Sequence, residues 1–375
     1  MKTLDVAIVG GGIIGATVAF ELARRNLRVV LLERQQPGRE ASWAAAGMLT
    51  PAPDSADSIY LLPLAKASLD LYPKFIAEIE GGSGHATGFR REGTLQLFPT
   101  SQGENERESF IEEHRRRGLK AEPITIADAR AMEPAIGPAI PAAAWLPEEA
   151  SVDPRALTQA ILAAAQSHET EIRTGVEVTS VVLEGDRCTG VIASGVKISA
   201  GHVVIAAGAF TAAIDPLKRY APTRPVRGQM IALRPVEAPP CRVLRSENGY
   251  LVPRLDGRIV AGSTLEDAGF DKRVTPSGLM EILNAAIELV PSLSRAEILE
   301  TWSGLRPDTP DHLPVLGPTD LEGLYMATGH YRNGILLAPI TAKLICEWLT
   351  GRGPSLEVDR FSPLRFVEAM RGANS

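Results

Sequence analysis

The stretch 6-VAIVGGGIIGATVAFELARR-25 decides the fold. Val6 to Val9 are apolar without alternation, as in a parallel strand buried on both faces. A glycine turn follows, then a helical pattern that ends in Arg24 and Arg25, and LRVVLLE at 27–33 supplies a second continuous apolar strand. Strand, tight turn, helix and strand make a βαβ unit, and Gly10, Gly12 and Gly15 give its turn the G-x-G-x-x-G spacing. The first glycine permits the tight turn, the second lets backbone approach a pyrophosphate, and the third allows close helix–strand packing. Backbone N–H groups of Ile13 and Ile14 would face the phosphates, where a helix N-terminus carries about half a positive charge. Glu33, closing the second strand, would accept hydrogen bonds from ribose hydroxyls. NAD and FAD share this fingerprint, so the unit defines a dinucleotide site without choosing between them.

Working outward, 375 residues suit two modest domains, with chemistry expected in the cleft between them. A net charge of -6 offers no electrostatic basis for nucleic-acid binding, and the basic run His114–Arg117 follows Glu112 and Glu113 and reads as a solvated helix end. Cys188, Cys241 and Cys346 are far apart and form no CxxC, and the six histidines show no metal-ligand spacing, so neither a disulfide framework nor a metal is expected. The segment Ile335 to Leu349 is broken by Lys343 and Glu347, is shorter than the ~20 residues of a membrane span, and reads as a packed helix. The first residues enter a strand pattern at once, which points away from a signal peptide and toward a cytoplasmic protein.

Further strand signals at GHVVIAAGAF (201–210) and GLYMATG (323–329) return the chain to the dinucleotide domain. Residues 84–144 and 222–303 instead carry alternating runs such as GTLQLF and QMIALRP, which predict antiparallel strands with one exposed face. The expected organisation is a dinucleotide-binding domain in three parts, 1–83, 145–221 and 304–375, interleaved with an antiparallel-sheet domain at 84–144 and 222–303. Three stretches bear on the cofactor. GREASWAAAGM (38–48) could lie flat against a planar ring system or could be a small-residue helix start at a packed interface. Gly208 in VVIAAGAF either lets a return strand approach the cofactor or marks an ordinary strand exit. GHYRNGILLAP (329–339) places a glycine-flanked turn before an apolar helix, whose unpaired N–H groups suit the negative charge of a reduced flavin. Arg332 would project toward substrate there, unless it is a surface arginine.

These stretches, with VDP at 152–154, PVRGQ at 225–229 and GLRPDTPDHLPVLG at 304–317, resemble the D-amino-acid oxidase superfamily of FAD flavoproteins, and within it the glycine oxidase family. The resemblance covers essentially the whole chain. It implies an α/β fold, α+β overall, with a Rossmann-like FAD domain of the glutathione-reductase type and an interleaved antiparallel-sheet substrate domain. Arg306 matches the arginine that pairs with the substrate carboxylate, Tyr250 the tyrosine that donates a second hydrogen bond to it, and Arg332 a position near substrate and flavin. Ile13, Ile14, Glu33, Arg34, Ala41, Ser42, Ala46, Gly47, Met48, Val176 and the loop His330, Tyr331, Arg332, Asn333, Gly334, Ile335 and Leu336 match cofactor contacts. A plainer reading of Arg306 is a salt bridge with Asp308 or Asp311. Asn248 stands where some relatives carry a histidine, and no cysteine falls in a matched flavin motif, so the FAD is expected to be non-covalent.

The implied reaction is oxidative deamination of glycine, sarcosine or D-alanine by hydride transfer to flavin, giving the α-keto acid, ammonia or amine, and H2O2 from O2, in the service of thiamine thiazole synthesis. A D-amino-acid or secondary-amine dehydrogenase passing electrons to a quinone or another acceptor is the alternative these residues leave open, while the lack of a basic surface argues against a flavin-binding module without turnover. Relatives are often homotetramers.

Overall fold

The computed structural model describes residues 4–52 and 57–373. Its first sheet is built around Leu4–Val9, flanked by parallel strands Val29–Glu33 and Val196–Ile205 and extended by Glu171–Thr174 on one side and Leu324–Thr328 on the other. The continuous apolar runs have a direct cause, because alternate residues enter two different cores. Val6, Ile8, Leu31 and Val204 pack under the helices Ile13–Ala23, Leu62–Ser83, Pro154–Ser167 and Gly334–Leu349. Ala7, Val9, Val30, Leu32 and Val203 pack on the opposite face against the meander that includes Val178–Glu184 and Arg187–Ala193.

The second sheet runs, edge to edge, Glu297–Asp308, Arg224–Arg234, Ile259–Gly262, Tyr250–Pro253, Val243–Arg245, Thr94–Phe98, Ala142–Leu146 and Glu122–Ile124. The sequence predicts antiparallel pairing; one pair departs from it, since Val243–Arg245 lies parallel to Thr94–Phe98, a pairing that joins the two segments of the chain that build this sheet. The expected exposed face is also absent. Thr94–Phe98 and Ile259–Gly262 are buried throughout, as is Arg224–Arg234 between its terminal arginines. One face carries the core of Leu95, Ile231, Leu244 and Leu251 under the helix Pro276–Leu289, and the other turns toward the first sheet. Polar residues survive that burial because they are paired: Gln96 accepts from Arg245 Nε at 2.8 Å, and Gln229 bonds Glu266 and Thr275.

Two expected segment boundaries fall inside strands. Glu297–Asp308 stays paired with Arg224–Arg234 as far as Arg224↔Asp308, beyond the break expected at 303/304, and Ala142–Leu146 runs through 144/145. The basic run ends the helix Gly103–Arg116 as predicted, with Arg115 and Arg116 pairing back to Glu112 and Glu113, but His114 is buried.

The helix Gly334–Leu349 contains Pro339, which has no N–H and so frees the carbonyl of Ile335 one turn earlier. The packed helix Leu62–Ser83 supplies the missing donor: Tyr72 Oη donates to the Ile335 carbonyl at 2.5 Å, and Ser68 Oγ donates to Leu336 O at 2.5 Å. Tyr72 is fully buried. Tyr72→Phe should therefore lower unfolding free energy by about 1–3 kcal/mol, the cost of an orphaned buried carbonyl. The same change in a Pro339→Ala background should cost measurably less, because the substituted alanine restores the backbone donor. Denaturant titration of the four proteins checks this; equal costs in both backgrounds would refute the pairing.

Candidate active site

A cavity of about 930 Å³ lies between the two sheets, within the range of cofactor sites. All the site residues expected from sequence line it except Gly15, which packs beneath: a Cβ there would lie 2.0 Å from the Gly10 carbonyl. Gly10 itself has φ +106°, and a Cβ on it would fall 2.4 Å from Ala206 O, so both turn glycines are demanded by contact with backbone.

Glu33 is tied into the turn more tightly than its sequence position suggests. Its carboxylate accepts from Gly11 N at 2.8 Å and from Gln35 N at 2.9 Å, and so holds the glycine loop against the end of its strand. Ile13 N, expected to face phosphate, donates to Ser42 Oγ at 2.9 Å, because a hydroxyl delivered by the short helix Ala41–Ala44 meets one of the helix's four orphan donors. That short helix owes its place to small side chains: a Cβ on Gly304 would lie 2.3 Å from the Cβ of Ala44. Arg34 stacks over Phe210 with Cζ 3.4 Å from the ring centroid and pairs with Glu40 at 2.8 Å. Val176 N bonds the Glu33 carbonyl, and Gly208 sits at φ +56° where the return strand turns.

The helix Gly334–Leu349 begins at the cavity, with Asn333 at its N-cap position and no side-chain cap from it. The loop ahead is anchored to the second sheet. Tyr331, at φ +47°, donates its N–H to Pro307 O at 2.9 Å, and its ring lies against His312, which pairs with Asp308. His330 turns its ring inward to Thr341 Oγ1, 3.0 Å away; burial pushes its pKa down to about 3, and its backbone borders the cavity.

On the facing sheet, Arg306 projects across Gly228, where a Cβ would stand 2.3 Å from Nη1. Nη2 donates to Ser263 Oγ at 2.7 Å, and Nη1 to the carbonyls of Thr264 at 3.2 Å and Arg227 at 3.3 Å. The carboxylates of the plainer reading have other arginines: Asp308 pairs with Arg224 at 2.9 Å and Asp311 with Arg365 at 2.8 Å. Tyr250 reaches the same cavity, its hydroxyl donating to Met230 Sδ at 3.4 Å. Tyr250 and Met230 are neighbours because both pair with Gly262, where a Cβ would meet Met230 Sδ at 2.5 Å. Gly228, Gly262 and Ser263 were not singled out from sequence. The glycine inside PVRGQ was the one available signal, since glycine in a strand marks close approach. Arg332 lines the cavity from an exposed position. None of the three cysteines does so, and no cluster of potential metal ligands occurs among the described residues.

A glycine turn under one helix, a second helix N-terminus at the same cavity and a basic, tyrosine-bearing sheet opposite describe a redox enzyme built on a dinucleotide cofactor. The chain belongs to the FAD dependent oxidoreductase (DAO) family, whose sequence profile matches residues 5–348, and FAD is its cofactor. It is similar to the bifunctional protein ThiO/ThiG of Trichormus variabilis, 37% identical over 368 residues that cover 97% of this chain and 55% of that protein. It is also similar to the glycine oxidase of Pseudomonas aeruginosa, 35% identical over 361 residues, 96% of this chain and 98% of the relative. The crystal structure of glycine oxidase from Geobacillus kaustophilus superposes with a TM-score of 0.91 at 34% identity, over 96% of this chain and 98% of that one. The chain thus spans about half the length of the bifunctional relatives. Among the described residues no helix is long and apolar enough to cross a membrane.

Because Gly10 is wedged against Ala206 O at positive φ, Gly10→Ala should yield protein with less than about a tenth of the wild-type FAD, the effect of a loss of ~1.4 kcal/mol or more. The ratio of flavin to protein absorbance after purification reads this directly; a fully yellow variant would contradict the assigned turn.

Proposed function

We propose that the chain is an oxidase of glycine and other small amino acids and amines, sarcosine and D-alanine among them, with FAD held non-covalently. The observation that carries the reading is the pairing of Arg306 and Tyr250 on one sheet face across the cavity from the Gly334–Leu349 helix N-terminus. The glycine oxidases among its relatives support the same substrate class, and the ThiO/ThiG proteins support a role in supplying the imine for thiamine thiazole synthesis.

Arg306 grips the substrate carboxylate. Ser263 and two carbonyls fix its guanidinium, so the fork is oriented before substrate arrives and loses little freedom on binding. The Tyr250 hydroxyl donates to a thioether, a weak acceptor, and is readily redirected to the carboxylate. Arg332 adds positive charge on the loop side. Gly10, Gly12, Ile14, Glu33, Ser42 and the segment Ala46–Met48 would hold the pyrophosphate, ribose and ring portions of FAD, with the N–H groups of Gly334, Ile335 and Leu336 available to the flavin. Bound FAD supplies the hydride acceptor and the return of electrons to O2 as H2O2. The oxidised substrate hydrolyses to the α-keto acid, glyoxylate from glycine. Positioning of this kind contributes on the order of 7–11 kcal/mol to catalysis.

Arg306→Ala should lose roughly 30-fold or more in kcat/KM, from the 2–5 kcal/mol that removing one member of a desolvated charge pair costs, with FAD content unchanged. Near-normal kinetics with glycine, or an absence of stoichiometric H2O2 from the wild type, would refute the assignment.

Proton handling yields a second test. His330 is buried with its ring on Thr341 and stays neutral far below working pH, so it supplies no base to the α-carbon. Hydride departure needs a neutral substrate amine. The rate of anaerobic flavin reduction should therefore rise with pH through the amine pKa of whichever substrate is used. An inflection that stays in place when glycine is exchanged for a substrate of different amine pKa would reveal a titrating enzyme group.

A further inference from the structure

The cavity continues past Tyr250. In-register pairing carries Met230, Gly262, Tyr250, Arg245 and Gln96 across five strands on one face, each about 4.8 Å from the next. Beyond Gln96 the helix Gly103–Arg116 closes the wall with Phe110, Glu113 and His114, and an adjoining recess of about 470 Å³ opens between Pro99, Asn105 and Asn248. Ser109, Glu247 and Asn248 are exposed, so this end of the cavity meets solvent.

His114 and Ser246, only 5% and 6% exposed, line this end, and among the described residues their buried Nε2 and Oγ atoms have no hydrogen-bond partner. Their chemistry restricts what can satisfy them. His114 Nδ1 lies 2.9 Å from the Phe110 carbonyl, which can only accept, so Nδ1 carries the proton. Burial pushes the imidazole pKa down and outweighs the opposing hydrogen bond to the Phe110 carbonyl, so the ring is neutral and Nε2 offers a lone pair. Arg245 is engaged with Gln96 at 2.8 Å, Thr50 at 3.2 Å and Glu149 at 3.3 Å, and Arg117 with Glu113 at 2.7 Å. Each arginine there is paired with a carboxylate, so this end offers no excess charge of either sign to an ionic group, whereas the Nε2 lone pair calls for a proton donor.

We propose that this outer end is a second subsite, which takes a neutral hydroxyl or carboxamide at the far end of an N-substituted amino acid, donating its proton to His114 Nε2, with Ser246 Oγ as the companion hydroxyl. The proposal rests on the amine-oxidase reading, in which the carboxylate is anchored at Arg306 and Tyr250. One strand spacing, roughly 5 Å, separates Tyr250 from Arg245 and two, roughly 10 Å, separate it from Gln96, which the helix adjoins, a span suited to an amino acid anchored by its carboxylate and carrying an N-substituent of three or four heavy atoms.

The test uses the FAD-loaded protein and two compounds of equal length, N-(2-hydroxyethyl)glycine and N-propylglycine. Anaerobic titration followed by flavin absorbance gives the ratio of their dissociation constants. The hydroxyl compound should bind about tenfold better, the gain from satisfying a buried acceptor, and His114→Phe should bring the ratio close to one, with Ser246→Ala lowering it in part. A wild-type ratio near one, or a ratio unchanged by both substitutions, overturns the subsite; should His114→Phe fail to fold, an unchanged ratio in Ser246→Ala overturns it alone. Bleaching by glycine reports on the oxidase reading separately. A protein that prefers the hydroxyl compound without being reduced by any amine keeps the subsite and loses the oxidase.

Discussion

A buried helix N-terminus presents backbone N–H groups that must find a partner, and two of them open onto one cavity here. The helices Ile13–Ala23 and Gly334–Leu349 pack in the same core over the parallel sheet, so their positive ends are held by the fold. Much of the surrounding structure serves this arrangement. Gly10 and Gly15 let the first helix begin directly off its strand, Glu33 pins the turn between them, and Tyr72 repairs the Ile335 carbonyl that Pro339 leaves open in the second helix, while Ser68 bonds the neighbouring Leu336 carbonyl.

The second sheet provides what a cofactor cannot. Its cavity face carries Tyr250, Arg245 and Gln96 beside apolar side chains such as Met230, and the buried Gln96 on it has a defined partner in Arg245. Close approach is made possible by absent side chains: Gly228 beneath the Arg306 guanidinium, Gly262 between Tyr250 and Met230, and Gly304 against Ala44. Any Cβ at these points would move the guanidinium, the phenol or the cofactor-side helix. The shape of the site therefore depends on glycines in strands, where intrinsic propensity disfavours them. This is a local conflict of the kind expected at functional sites.

The βαβ unit, the dinucleotide turn and the strand–loop–helix at 323–349 were legible from residues 6–33 and 323–349 alone. Each rests on a local pattern: continuous apolar runs, glycines at fixed spacing, a turn before a packed helix. Resemblance to known flavoproteins then assembled distant residues such as Arg306 and Tyr250 into one expected site. Alternation in GTLQLF and QMIALRP was read as one exposed face, and that failed because periodicity reports a change of polarity between faces, while burial depends on what packs against each.

Sequence by itself determined the class of cofactor site and the order in which the chain builds it, because those follow from backbone requirements of neighbouring residues. Only the tertiary structure decided that Ser42 meets Ile13, that Glu33 holds Gly11, that Arg306 leans on Ser263 rather than on Asp308, and that His114 faces a cavity instead of water. These contacts join residues that lie up to 43 positions apart or sit on different elements, and they arise from the registers of paired strands and the packing of one sheet against the other. Local composition carries no record of such registers, since they are settled by which whole faces can be buried together.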